Sequence, residues 1–147
     1  MKKRNNSSAK LTLLITYLFC VLLFLLEIFA IPILTWFYGE NRNETIRMVS
    51  CSFYICSLPA WVALISILKL LKNVISENIF SAKNISYLRN LSYCCGFVAV
   101  VCFVSGVEYL PMMIFSLGAG FMMLILRVLK NVIAKATEIK SENDLTV

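Results

Sequence analysis

Residues 11–38 read LTLLITYLFCVLLFLLEIFAIPILTWFY. The run holds a single carboxylate, Glu27, and no lysine or arginine. It exceeds the roughly 20 apolar residues needed to cross a hydrocarbon core of about 30 Å. In lipid, an open strand leaves its backbone N–H and C=O groups unpaired, so the run must be a helix. The preceding segment, MKKRNNSSAK, has the charge of a signal-peptide leader. The apolar run is nevertheless longer than an h-region of about 7–15 residues, and no small-x-small site closes it. An uncleaved first membrane helix is expected.

The same reading finds three more spans, at about 48–68, 91–107 and 112–126. The last two are short and cross if flanking residues snorkel or the bilayer thins. Composition agrees. Hydrophobic residues make up 60% and charged residues 15% of the 147, against about 45–50% and 25% in soluble domains. The expected fold is an all-α membrane protein with four transmembrane helices in two hairpins. It forms one integral membrane domain over residues 1–147, with a loop at 69–90 and a tail at 127–147.

Orientation follows from the basic residues. Lys2, Lys3, Arg4 and Lys10 precede the first span. Lys69, Lys72, Lys83 and Arg89 lie between the second and third, and Arg127, Lys130, Lys135 and Lys140 follow the fourth. Only Arg42 and Arg47 fall on the other side, beside Glu40 and Glu44. The positive-inside rule then puts both termini and the middle loop in the cytoplasm. Trp36, Tyr38 and Tyr109 fall at the outer interface, where aromatic belts form.

ILKLLKNVIS (Ile67–Ser76) is echoed by ILRVLKNVIA (Ile125–Ala134). Both copies sit where a descending helix leaves the membrane, so both are expected to continue as helix beyond it. SEN follows the first copy directly and recurs at Ser141–Asn143.

The middle loop reads KNVISENIFSAKNISYLRNLSYCCG. Ser81 suits an N-cap, with Phe80 and Ile85 placed as a hydrophobic staple. Asn78, Phe80, Asn84, Leu88, Arg89 and Gly96, together with the tail ENDLTV (Glu142–Val147), resemble the signatures of the DUF2975 family of bacterial membrane proteins. Ile79 stands where that pattern usually has proline, which makes the turn into the helix less rigid. The resemblance covers the four spans in order. It implies a four-span protein of the bacterial cell (plasma) membrane, in a family with no established activity. Many members are encoded beside a small helix-turn-helix regulator, which implies a cytoplasmic DNA-binding partner. Asn78, Phe80, Asn84, Leu88, Arg89, Glu142, Asp144, Leu145 and Val147 are the candidate partner-contact residues.

Glu27 is the candidate intramembrane site, since an acid inside a span is a functional hypothesis by default. The alternative is a structural acid, neutral or paired with Arg47. Pro32 lies one turn on and frees a carbonyl nearby. Small residues mark helix contacts: Ser57, Ala60, Ala63 and Ser66 in span two, Ser92, Gly96, Cys102 and Gly106 in span three, Ser116 and Gly120 in span four. Such spacing lets backbones approach. Packing within a four-helix bundle is expected, and a homodimer is compatible with it.

The chain has no histidine, and its six cysteines form no C-x-x-C pair. No metal set, no cofactor and no catalytic constellation is legible, so no enzyme is expected. Direct nucleic-acid binding is not expected either, because the net charge of +6 is explained by topology. Two readings of function remain. One is a non-enzymatic regulator that restrains a cytoplasmic partner, such as a helix-turn-helix transcription regulator, through loop and tail. The other is a small transporter, or an immunity protein against a membrane-active peptide, that uses Glu27.

Overall fold

Backbone groups that meet lipid must be satisfied within their own segment, and each apolar run accordingly forms one unbroken helix. The computed structural model describes residues 2–39, 42–76 and 81–145. They form α1 (Lys2–Tyr38), α2 (Asn43–Ile75), α3 (Ala82–Gly106) and α4 (Pro111–Leu145). All four are long and apolar enough to cross a membrane. The chain is a multi-pass membrane protein.

Each helix outruns its expected span. α2 continues to Ile75 and α3 begins at Ala82, so most of segment 69–90 is helical. α4 runs to Leu145, nineteen residues past the expected end of its span at Leu126. At 1.5 Å per residue α4 is about 52 Å long, well beyond a hydrocarbon core of about 30 Å.

Sequence chemistry sets the ends. α1 closes at Gly39, whose φ of 75° is the left-handed conformation that favours glycine. The Gly39 N–H bonds the Thr35 carbonyl at 2.9 Å, a C-terminal cap. α3 opens at Ser81, in extended conformation with φ −132° and ψ 146°. Its carbonyl accepts from the Asn84 N–H at 3.0 Å. The expected side-chain cap is not made: the buried Ser81 Oγ has no hydrogen-bond partner among the described residues. Phe80, and with it the expected staple, lies outside the described residues.

α1 turns one seam toward α2. Leu13, Thr16, Cys20, Leu23, Glu27, Ala30 and Leu34 are less exposed positions that alternate in steps of three and four, with Thr35 and Tyr38 at the end of the helix. This is the spacing of helices packed at a shallow crossing angle. Thr16 and Ala30 are the most buried of them. Thr16 returns its hydroxyl to the Thr12 carbonyl at 2.8 Å, which satisfies the group without a partner helix.

α3 and α4 pack antiparallel and close. Ser92 donates to the Met123 carbonyl at 3.2 Å, and Ser116 donates to the Ala99 carbonyl at 2.8 Å. A Cβ on Gly96 would sit 2.9 Å from Met123 Sδ, and one on Gly106 would sit 2.7 Å from Met113 Cγ and 2.9 Å from its backbone N. Gly120 differs, because a Cβ there meets nothing within 4 Å. Its spacing from Ser116 is right for packing, but it opens onto a lipid-facing groove.

Among the described residues α1 packs only on α2, α2 on α1 and α3, and α3 on α2 and α4. The expected four-helix bundle is therefore open, a row of helices and not a closed ring. Lipid tails solvate apolar side chains as well as leucine does, so no hydrophobic penalty forces the row to close. One polar tie links its distant parts: the Tyr38 and Tyr109 hydroxyls hydrogen-bond at 2.8 Å, with their rings edge to face.

Candidate functional site

Glu27 lies on the seam between α1 and α2 and is partly buried. Trp61 Nε1 of α2 donates to its carboxylate Oε1 at 2.8 Å. About two helical turns earlier in α2, the Tyr54 hydroxyl donates to the Glu27 carbonyl at 3.1 Å. Pro32 lacks an N–H, so the carbonyl it frees is that of Ile28, next to the one Tyr54 reaches. The expected alternative pairing with Arg47 is not made. Arg47 pairs with Glu44 at 3.2 Å, both side chains largely exposed. The reason is reach. Arg47 lies near the start of α2, while Glu27 meets α2 at Trp61, about four turns further along. Nothing in the hydropathy pattern singles out Trp61, because an indole reads as one more apolar residue.

The second cluster joins α2 to α3 along their length, also antiparallel. Ser52 and Ser105 share a hydrogen bond of 2.6 Å. Cys56 and Cys102 line one cleft, and all six cysteines are free thiols. Lys69 Nζ lies 5.9 Å over the Tyr87 ring, a cation–π contact. At the basic end Asn73 Nδ2 donates to Asn84 Oδ1 at 2.7 Å. Asn84 is the most buried side chain described, 2% exposed, and Leu88 one turn on is 3% exposed.

These positions sort the candidate contact residues. Asn84 and Leu88 face inward and tie the start of α3 to the end of α2. Arg89 and Glu142 are exposed. Asp144 and Leu145 lie in the last turn of α4, with side chains outside the described residues. Asn78, Phe80 and Val147 lie outside the described residues altogether. Asn73, the partner of Asn84, was visible to sequence reading only as part of the repeat.

No group of three or more metal-ligating side chains occurs among the described residues. An apolar groove of 670 Å³ lies between α3 and α4, and a smaller one of 370 Å³ is shared by α2, α3 and α4.

The family described as protein of unknown function (DUF2975) matches the chain over residues 3–147. No curated protein and no solved structure matches it.

Proposed function

From the premise that the chain belongs to the DUF2975 family, we propose that it is a non-enzymatic regulator of the bacterial cell membrane. It crosses in two hairpins with both termini cytoplasmic and holds a cytoplasmic partner, a small helix-turn-helix DNA-binding regulator in the simplest case. The observation that carries this reading is the length of α4. Ser92 of α3 is level with Met123 of α4, so Ala82, the first residue of α3, is level with about Ile133. α4 then continues to Leu145, roughly 18 Å further. Lys135, Glu138, Ile139, Lys140 and Glu142 are exposed along this extension. A mixed-charge helix with exposed apolar positions suits docking of a soluble protein in a groove.

The test is co-purification from native membranes of the full chain and of a form ending at Ala134. A DNA-binding regulator should be recovered with the full chain and lost with the shortened one. Identical partner lists for both forms would overturn the proposed role of the extension.

The second reading rests on Glu27, the one carboxylate on the α1–α2 seam. Its bond to Trp61 supports a structural role, and on that ground we rank transport or immunity second. Glu27→Gln keeps an acceptor for Trp61 and removes the acid. We expect unchanged abundance and unchanged partner recovery. Glu27→Ala removes the acceptor and should cost about 1 kcal/mol of stability, as interhelical hydrogen bonds in membranes do. If Glu27→Gln abolishes peptide resistance or proton-coupled flux at normal abundance, the transporter or immunity reading replaces the first.

A further inference from the structure

We propose that the groove between α3 and α4 binds one anionic phospholipid, its phosphate held by Arg89 and Arg127 and one acyl chain lying along the two helices. The floor of the groove is Ala99, Ser116 and Gly120, and Phe103 and Phe121 stand along its walls. A Cβ on Gly120 meets nothing within 4 Å, so the glycine leaves room for something other than a neighbouring helix. The one hydroxyl of that floor is spent, because Ser116 donates to the Ala99 carbonyl. With no free side-chain donor to offer a polar solute, the floor suits a hydrocarbon chain.

Charge stands at one end of the groove. Ser92 is level with Met123, so Arg89 of α3 is level with Leu126 and adjoins Arg127 of α4 in depth. Helical phase puts both arginines on the groove side. Arg89 precedes Val100 by eleven residues, about three full turns, and Arg127 follows Gly120 by seven, about two turns. Val100 and Gly120 both line the groove. Asn131 lies about one turn beyond Arg127 and adds an amide donor. All three polar side chains are exposed. Among the described residues neither arginine is ion-paired, whereas Arg47 is paired with Glu44. The first carboxylate along α4 after Arg127 is Glu138, about 16 Å further on.

Length and charge together name the occupant. Leu117, in the groove, lies ten residues from Arg127, about 15 Å along the helix. That is one leaflet's share of a hydrocarbon core of about 30 Å. A guanidinium meets phosphate oxygens through two parallel N–H donors, and two guanidinium groups carry more charge than one phosphodiester. The surplus favours a headgroup with no cation of its own over a zwitterionic one. Other basic residues at this end are placed differently. Lys69 stands over the Tyr87 ring, and Lys83 lies about 120° round α3 from Arg89. The site needs a bilayer and not a particular leaflet, and it stands apart from the identity of any cytoplasmic partner.

Native mass spectrometry of the full chain, released from mild detergent, measures retention of phosphatidylglycerol and of phosphatidylcholine with the same acyl chains. The unaltered chain should hold one phosphatidylglycerol, on the order of tenfold more tightly than phosphatidylcholine. Arg89→Gln with Arg127→Gln should abolish that preference. Lys72→Gln with Lys83→Gln removes the same charge from two other exposed positions at this end and should keep it. Gly120→Leu fills the groove, so it should weaken both lipids several-fold and leave their ratio unchanged. Millimolar inorganic phosphate should displace neither lipid. Equal retention of the two lipids by the unaltered chain would overturn the proposal. So would a preference that survives loss of the arginines or falls as far with the lysine pair, or binding that Gly120→Leu leaves untouched. Displacement by inorganic phosphate would also overturn it, by marking a site for free anions.

Discussion

Asn84→Leu is expected to destabilise the protein by about 1–3 kcal/mol, the cost of stranding buried polar groups. Leucine fills a similar volume, so the loss would come from polarity and not from a cavity. Asn84 is nearly sealed from solvent and accepts from Asn73 at 2.7 Å. Without the acceptor, the Asn73 amide is left at the α2–α3 junction with its hydrogen bond unmade. Thermal unfolding in mild detergent measures the loss. A double-mutant cycle with Asn73→Ala isolates the pair: the two substitutions together should cost clearly less than the sum of each alone. Strict additivity would mean the two amides act independently and the junction is held by something else.

Gly106→Leu should be as damaging for a different reason. Even the first added carbon meets the Met113 backbone nitrogen at 2.9 Å. A side chain can rotate away, but a backbone atom in the first turn of α4 cannot. Overpacking of this kind costs typically about 1–3 kcal/mol, and leucine belongs at the upper end. The matched control is Gly120→Leu, whose Cβ enters open space and should leave stability within about 0.5 kcal/mol. The readout is the unfolding midpoint, with the yield of folded protein after extraction as a second measure. If both glycines tolerate leucine equally, the close approach of α3 to α4 is not as described.

These two substitutions mark where sequence reading succeeds and where it stops. The spans were legible because a run such as residues 11–38 has one solution in lipid. The helical continuation beyond the membrane was legible from the repeated KNVI segments. Which face of each helix is buried was not. In water, the apolar face of a helix is the inner one. In lipid both faces are apolar, and the inner face is marked only by small and polar residues. Gly106 and Gly120 carry the same spacing signal, yet one is packed against a backbone and the other faces open space. Asn84 read as a candidate contact residue because it belongs to the loop signature that resembles the family pattern. Its burial depends on Asn73, on the preceding helix, and no local pattern announces a pair formed across a turn. Glu27 read as an acid on a helix, and its partner is Trp61 and not Arg47. Opposite charge suggested Arg47, and depth in the membrane decided otherwise.

The row of helices carries one more consequence, which concerns assembly. Among the described residues each helix packs only on its immediate predecessor and successor in the chain. Chains are made from the amino terminus, and their parts fold as they emerge. Here α1 meets α2 as soon as α2 enters the membrane, and α3 then finds its neighbour already in place. α4 arrives last and docks on a finished surface. Contacts between near neighbours in sequence also carry little loop-closure entropy and form quickly. The helix pairs therefore form in the order of synthesis, and the Tyr38–Tyr109 bond closes once the turn before α4 has emerged.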